Sequence, residues 1–227
     1  MGELTFGPAV WALLAIGAAA AGAYGLAFLD RPPSLARAGV KTAFMAALAG
    51  AMIAAGAPFP LVAALIASAL GDLFLAFDKK WMLPLGVLSF LAAQLFYLLI
   101  FLAVWFFSGD NSPLWPRYLA MGAVAVTAVA FLVWMAPKLG WMALAVVPYA
   151  IAISAMAAAA MWVPWPGWPA MLGAASFLVS DFVLAAELFR LPPDSPLRRV
   201  TAPVVWWTYV AAQLLIVAGV VSLILAR

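Results

Sequence analysis

The sequence is a series of apolar stretches, most about as long as a helix that crosses a lipid bilayer, separated by short breaks rich in proline, glycine and charge. A membrane-spanning helix needs about 20 mostly apolar residues. Only 8% of the 227 residues are charged and 69% are hydrophobic, which leaves too little polar surface for a soluble domain. The pattern predicts an all-α, polytopic membrane protein with a single transmembrane domain over residues 1–227. Eight spans are expected, with predicted bounds Gly7–Leu29, Val40–Ala57, Pro60–Phe77, Met82–Phe107, Trp115–Ala136, Leu139–Val163, Pro169–Phe189 and Thr201–Leu225.

Two residue types are missing, and their absence removes several classes of chemistry. The chain has no histidine and no cysteine, which excludes zinc sites of the usual nitrogen and sulfur type, Ser-His triads, cysteine nucleophiles and disulfides. Acid–base chemistry must then come from Asp, Glu, Lys, Tyr or water. We expect neither a metal nor a cofactor, and the net charge of +3 gives no indication of a nucleic-acid partner.

Basic residues are distributed unequally between alternate loops. Loops of the cytoplasmic side carry an excess of Lys and Arg, so the more basic set predicts cytoplasmic loops and places both termini outside. A bacterial inner membrane is the expected location. The basic set holds Arg31, Arg37, Lys41, Lys79, Lys80, Lys138, Arg190, Arg198 and Arg199, and the opposite side holds Arg117 and Arg227.

Two aspartates, Asp72 and Asp181, lie inside stretches that are otherwise apolar. An ionisable residue at membrane depth costs at least about 2.5–3.5 kcal/mol, so it marks a functional site by default. Their surroundings also match, because Gly-Asp-x-x-Leu-Ala at 71–76 echoes Ser-Asp-x-x-Leu-Ala at 180–185, and Ala-Ala-Gln-Leu follows at 92–95 and at 211–214. The echo predicts a parallel 4+4 pseudo-repeat, with chance similarity between Ala/Leu-rich helices as the alternative.

Further polar residues are expected inside the membrane, with Gln94 and Gln213 deeper than the aspartates and near mid-bilayer. Gln94 and Tyr97 share one helix face, as do Tyr209 and Gln213, and Lys41 marks the cytoplasmic rim. These groups can converge into one polar cavity that opens to the cytoplasm, since a lipid-facing position would leave them unsatisfied. The alternatives stay open: each glutamine can join helices by hydrogen bonding, and each tyrosine can be a packing residue. No Lys or Arg is expected at the depth of either aspartate.

Two carboxylates in one apolar site have a definite chemistry. Burial disfavours the charged form, and a second carboxylate disfavours it further, so the pair is expected to share a proton. Such a pair offers an acid that can donate a proton beside a base that can accept one. Such a pair serves hydrolysis through an oxocarbenium-like state, intramembrane peptide hydrolysis and proton-coupled transport.

At these residues the sequence resembles the YhhN-like lysoplasmalogenase family of eight-span membrane hydrolases. The resemblance covers most of the chain, and one departure is Gln94, which stands where the family usually has a histidine. The motifs that carry the resemblance are Lys41-Thr42, Gly71-Asp72-x-x-Leu75, Phe90-Leu91-x-x-Gln94-x-x-Tyr97, Ser180-Asp181-x-x-Leu184-Ala185 and Tyr209-x-x-Ala212-Gln213-Leu214.

The resemblance implies hydrolysis of the vinyl ether bond of a lysoplasmalogen, a lysophospholipid substrate, to a fatty aldehyde and a glycerophospho-alcohol. One of Asp72 and Asp181 would donate the proton, and the other would stay ionised, stabilise the cation and orient the water. The residues expected to hold the water or the glycerol hydroxyl are Gln94, Tyr97, Tyr209 and Gln213. The residues expected at the phosphate are Lys41 with Lys79 or Arg199, because basic loops suit anionic headgroups.

The main alternative function is a small proton-coupled transporter that uses the same two aspartates. Paired carboxylates near mid-membrane and a parallel repeat suit alternating access, and Pro148 could break span 6 for that purpose. An intramembrane aspartyl protease is disfavoured, because Ala69 stands where its G-x-G-D motif needs a first glycine.

Overall fold

The computed structural model describes residues 4–77, 79–108, 114–192 and 194–226, and within these ranges all regular structure is helical. Arg227, assigned above to the outer side, lies outside the described residues. The all-α prediction is confirmed. The described α-helices are α1 (Pro8–Ala27), α2 (Leu35–Ala54), α3 (Phe59–Leu75), α4 (Met82–Ser108), α5 (Leu114–Leu139), α6 (Ala143–Ala160), α7 (Trp168–Phe189) and α8 (Arg198–Leu225).

Most helix ends lie close to their predicted positions, and three helices carry a proline at the start. Pro8, Pro60 and Pro169 all occupy the first turn of a helix, where the missing N–H has no partner to lose. The start of α2 differs most, since the helix begins at Leu35, five residues before the predicted start at Val40. The Ser34 side chain caps it by accepting a hydrogen bond from the Arg37 backbone N–H.

The prediction of eight separate spans is wrong, since six described stretches are long and apolar enough to cross a membrane. The helix α3 has 17 residues, which gives about 25 Å at 1.5 Å per residue and falls short of a bilayer core of about 30 Å. The helices α5 and α6 lie in one apolar stretch, Trp115–Ala160, of 46 residues. Only a 3₁₀ turn at Gly140–Met142 separates them, and Gly140 adopts a positive φ of 51° there.

Within the described chain, two compact units form, Met1–Tyr97 and Leu98–Arg227. In the first unit, α2 packs against both α1 and α3, and the first part of α4 belongs with them. In the second unit, α7 and α8 form the most extensive helix pair, and α6 packs against α5 and α7. Asp72 belongs to the first unit and Asp181 to the second. The pseudo-repeat stays a prediction.

Glycine allows α7 and α8 to approach each other closely in the second unit. A Cβ atom on Gly219 would lie 2.4 Å from the backbone nitrogen of Ala170, and one on Gly173 would lie 2.7 Å from the backbone nitrogen of Ile216. Neither distance is tolerable for a side chain, so α7 and α8 approach backbone to backbone only because these positions are glycine. This contact fixes α8, which carries Tyr209 and Gln213, against α7, which carries Asp181.

The helix α6 runs without interruption from Ala143 to Ala160 although Pro148 lies inside it. A proline inside a membrane-spanning helix is tolerated where nearby groups satisfy the backbone that it frees. The expectation that Pro148 could break span 6 is therefore wrong, and one argument for a transporter is lost.

Candidate active site

Asp72 lies near the end of α3 and is almost completely buried, with 1% of its side chain exposed. The Nζ atom of Lys41 lies 3.2 Å from Asp72 Oδ1, and 16% of the Lys41 side chain is exposed. The two residues meet because Lys41 belongs to the first turns of α2 and Asp72 to the last turn of α3, at the same end of two consecutive helices. The prediction that no cation lies at the depth of Asp72 is thus wrong.

The physical reason for this error is the length of the lysine side chain. Its four-carbon stem lies along apolar surface while the ammonium group extends one or two turns away from its own Cα. A depth assigned from the backbone position alone places Lys41 at the rim, whereas its charge reaches the buried carboxylate. An ammonium at hydrogen-bonding distance stabilises the ionised form of Asp72.

The first part of α4 faces α3 at two contacts. The ring of Phe90 occupies the space beside Gly71, where a Cβ atom would come within 2.6 Å of the ring. One helical turn away on α3, Ser68 shares a side-chain hydrogen bond with Tyr97. Gln94 lies four residues after Phe90 and three before Tyr97, so helix periodicity places it on the same face, between the two contacts.

Gln94 is fully buried, and among the described residues neither its Oε1 nor its Nε2 atom has a hydrogen-bond partner. A buried polar group without a partner costs about 1–3 kcal/mol. Such a group in a native protein is typically explained by a ligand, a water molecule or a catalytic role. An unsatisfied buried amide in the same unit as the Lys41–Asp72 ion pair is therefore the clearest sign of a binding site there.

Asp181 lies in the middle of α7 and is partly exposed, in contrast to the buried Asp72. The hydroxyl group of Tyr149, on α6, donates a hydrogen bond to Asp181 Oδ2. Sequence reasoning missed Tyr149. A usable signal was present, because α6 is an apolar helix whose side chains offer only this phenol and the hydroxyl of Ser154 as polar groups.

The neighbours of Asp181 along α7 bind two further helices. The Ser180 hydroxyl donates to the backbone oxygen of Val205 on α8 at 2.9 Å. The ring of Phe182 stacks on Phe131 of α5, with a centroid distance of 3.9 Å and an interplanar angle of 4°. Three consecutive residues of α7 therefore contact three different helices, which limits the movement of the backbone at Asp181.

The polar residues of α8 lie in the α7–α8 contact. Gln213 is fully buried, and Tyr209 is 5% exposed. The Tyr209 ring meets Phe177 edge-on at 5.6 Å and lies 5.9 Å from Trp206. The Tyr209 ring therefore packs against two aromatic side chains of the second unit.

The predicted headgroup contacts are on the surface. Lys79 lies between α3 and α4, Arg199 lies in the first turn of α8, and both are exposed. The preceding residue, Arg198, turns inward instead, and its guanidinium group donates to the backbone oxygens of Glu187 at 2.7 Å and Pro192 at 3.1 Å. Arg198 thus ties the connection between α7 and α8 to the end of α7.

The second unit also contains an apolar cavity of about 410 Å³. On α6 it involves Ala155, Ala158 and Ala159, a helix face that points away from Tyr149 at 100° per residue. The cavity is therefore not an extension of the Asp181 environment. Its lining residues are Leu98, Leu102, Trp105, Met121, Ala155, Ala158, Ala159 and Trp162.

The residues predicted from the sequence form two groups, one in each unit. The first unit brings Lys41 to Asp72 and places Gln94 and Tyr97 on the α4 face that meets α3. The second unit brings the α6 hydroxyl to Asp181 and places the two polar residues of α8 beside α7. In the part of the chain that the structure describes, no group of three or more Asp or Glu side chains could hold a metal ion.

Comparisons with known proteins agree with the resemblance described above. The YhhN family model matches residues 36–220. Two curated relatives named lysoplasmalogenase, from Mycobacterium bovis and Mycobacterium tuberculosis, are each 32% identical to this chain over 91% of its length and 84% of theirs. No solved structure matches the chain at a significant level.

The Lys41–Asp72 ion pair predicts a specific stability change. The variant Lys41→Met should lower the unfolding temperature in detergent, because it leaves a buried carboxylate without its cation. Breaking a fully buried pair costs about 3–5 kcal/mol, and we expect a smaller loss here because Lys41 keeps some exposure. The transition can be followed by the fluorescence of the 11 tryptophans.

The matched control is Lys80→Met, the same change at an exposed lysine. The double variant Lys41→Met/Asp72→Asn should regain most of the lost stability, because it removes both charges. Equal unfolding temperatures for Lys41→Met and Lys80→Met would show that the ion pair does not stabilise the fold.

Proposed function

Because the chain belongs to the YhhN family, we propose that it hydrolyses the vinyl ether bond of lysoplasmalogens by acid–base catalysis with Asp72 and Asp181. It is a multi-pass membrane protein, and relatives named lysoplasmalogenase at 32% identity support a lysoplasmalogenase-like hydrolase. The similarity extends over 91% of the chain, and it is the observation that carries the reaction type. The Lys41–Asp72 ion pair is the observation that carries the mechanism.

The proposed reaction requires three things of the protein. An acid delivers a proton to the β-carbon of the vinyl ether, which produces an oxocarbenium ion. An anion stabilises this cation, and a water molecule then adds to it and loses a proton. The resulting hemiacetal breaks down to a fatty aldehyde and a glycerophospho-alcohol. General acid–base catalysis of this kind contributes about 10²–10⁴-fold in rate.

The different partners of the two aspartates suggest different roles. Lys41 supplies a full positive charge to Asp72, which favours the carboxylate. The hydroxyl group that Tyr149 supplies to Asp181 is neutral, and a neutral donor leaves that carboxyl able to carry a proton. In the proposed mechanism Asp181 is therefore the acid, and Asp72 is the anion that stabilises the oxocarbenium ion. The mechanism requires both side chains to reach one substrate.

The other polar residues would bind the substrate and the water. The unsatisfied amide of Gln94 suits a water molecule or the glycerol hydroxyl, because it can both donate and accept. Tyr97, Tyr209 and Gln213 would complete this polar environment. The ammonium group of Lys41 is paired with Asp72. The exposed Lys79 and Arg199 are therefore the better candidates for binding the phosphate group. The alkenyl chain would lie among the apolar helices.

Replacing either aspartate should abolish turnover while the protein still folds. Asp72→Asn removes the anion and Asp181→Asn removes the proton donor, and each should lower kcat by about 10²–10⁴-fold. The measurement is release of fatty aldehyde from a lysoplasmalogen in detergent micelles. Asp194→Asn is the control, because Asp194 is an exposed aspartate in the connection between α7 and α8.

Two results would count against this mechanism. Full activity in both aspartate variants would remove the carboxylates from the reaction. Substrate-dependent proton flux into liposomes, without formation of aldehyde, would favour the transporter instead.

Replacing Gln94 should raise the stability of the protein and lower its affinity for the substrate. Gln94→Met replaces an unsatisfied buried amide by an apolar side chain of similar size, so it should stabilise the protein by about 1–3 kcal/mol. The same variant should raise KM, because the amide would no longer bind the substrate or its water. The unfolding temperature and the steady-state kinetics are both measured in detergent.

The control is Gln213→Met. Gln213 is equally buried but interacts with a neighbouring group, so its replacement should destabilise the protein. A loss of stability in Gln94→Met would mean that its amide is satisfied in the folded enzyme.

We further propose that both termini lie outside the cytoplasm, in a bacterial inner membrane, with the site open to the cytoplasm. The unequal distribution of Lys and Arg supports this orientation. Since the chain has no cysteine, single cysteines can be introduced directly, and the exposed Lys80 and Trp165 are suitable positions. Trp165→Cys should react with a membrane-impermeant maleimide on spheroplasts, and Lys80→Cys should react only after permeabilisation. The reverse pattern would invert the topology.

A further inference from the structure

The contact between Tyr149 and Asp181 joins two helices at a carboxyl group that the proposed reaction uses. Tyr149 lies on α6 and Asp181 on α7, and the hydroxyl group donates to Oδ2 of the carboxyl. Both side chains are partly buried within apolar helices. In such surroundings a hydrogen bond is stronger than in water, and a missing partner is costly.

We propose that Tyr149 is a positioning residue that holds the carboxyl group of Asp181 so that its transferable proton is on Oδ1. This inference rests on the proposed function, since it concerns the acid of that reaction. A hydroxyl that donates to Oδ2 uses that oxygen as an acceptor. A neutral carboxyl group then carries its own proton on the other oxygen, Oδ1.

The surroundings of Asp181 make this orientation rigid. Ser180 is bonded to the α8 backbone at 2.9 Å, and Phe182 is stacked on α5 at 3.9 Å. The main chain at Asp181 is therefore fixed from two sides, and the remaining freedom is rotation of the carboxyl group about its own bonds. The hydrogen bond from Tyr149 removes that freedom. Proton transfer to carbon needs such alignment, because small errors in geometry lower the rate strongly.

The same hydrogen bond also supports the charge that develops during the reaction. When Asp181 gives up its proton it becomes a carboxylate, and a hydrogen bond to an ionised acceptor is about twice as strong as one between neutral groups. Tyr149 therefore stabilises the transition state more than the ground state. A contact of this kind raises kcat without tightening substrate binding.

The kinetic test compares two Tyr→Phe variants of the intact protein. Tyr149→Phe should lower kcat for lysoplasmalogen hydrolysis about 10–100-fold, while KM changes by less than about two-fold. The control is Tyr118→Phe, at an exposed tyrosine of the same unit whose ring meets Trp162 edge-on at 5.2 Å. This ring contact survives the substitution, so the control should keep the wild-type kcat.

A double variant separates positioning from a structural role. If Tyr149 acts only through Asp181, the variant Tyr149→Phe/Asp181→Asn should have the same residual activity as Asp181→Asn alone, because residues that act as a unit are not additive. A structural role would instead lower the unfolding temperature and add a further loss of activity. Equal kcat values for Tyr149→Phe and Tyr118→Phe would overturn the inference.

Infrared difference spectroscopy provides a test that does not depend on turnover. A protonated carboxyl group has a C=O stretching band, and the band that disappears in Asp181→Asn belongs to this residue. In Tyr149→Phe the band should move to higher frequency, because the C=O group has lost its hydrogen bond. No Asp181-dependent band in the wild-type protein, or a band that Tyr149→Phe leaves unshifted, would also overturn the inference.

The outcomes distinguish this inference from the proposed function. If Asp181→Asn retains full activity, the proposed mechanism is wrong, and the infrared band still decides whether Tyr149 orients the carboxyl group. If Asp181→Asn is inactive and Tyr149→Phe behaves like the control, the mechanism stands and only the role of Tyr149 is wrong.

Discussion

A charged or polar group inside an apolar helix needs a partner from another helix, and this requirement determines the arrangement of both aspartates. Asp72 has its cation on α2, and Asp181 has its hydroxyl on α6. In each case the partner lies on a helix that precedes the aspartate in its own compact unit. The membrane interior offers no water to replace these contacts. The positions of α2 and α6 are therefore coupled to the chemistry of the two carboxyl groups.

Much of the fold can be predicted from the sequence, because the features that indicate a helix lie within that helix or at its ends. Apolar length predicts the helices, and the structure shows a proline in the first turn of three of them. The number of spans is harder to predict, because it depends on features that composition does not show. The 17-residue α3 is short for a bilayer, and the turn at Gly140 lies inside a continuous apolar stretch. The positive φ of Gly140 accompanies the interruption between α5 and α6, and hydropathy alone does not predict this interruption.

The candidate site was predictable only in part, for a related reason. Asp72 and Gln94 stand out because polar residues are rare in this chain, and the structure indeed places both in buried positions. Their partners are less visible. Lys41 resembles a topogenic residue, and only the reach of its side chain brings it to Asp72. Tyr149 resembles a packing residue, and its partner is 32 positions away along the chain. Such pairings depend on how each helix is rotated about its own axis, and a uniformly apolar sequence gives little information about that rotation.

The unequal partners of the two aspartates also fit the charge changes of the proposed reaction. In the proposed mechanism the charge of Asp72 is compensated by Lys41, and Asp181 starts in its neutral form. In that mechanism, proton transfer creates an oxocarbenium ion and an Asp181 carboxylate together. Asp72 would stabilise the cation, and Tyr149 would stabilise the carboxylate through its hydrogen bond. The carboxylate can then take the proton from the attacking water, which returns Asp181 to its neutral form. Two carboxylates with identical surroundings would not favour this sequence, because neither would be committed to holding the proton.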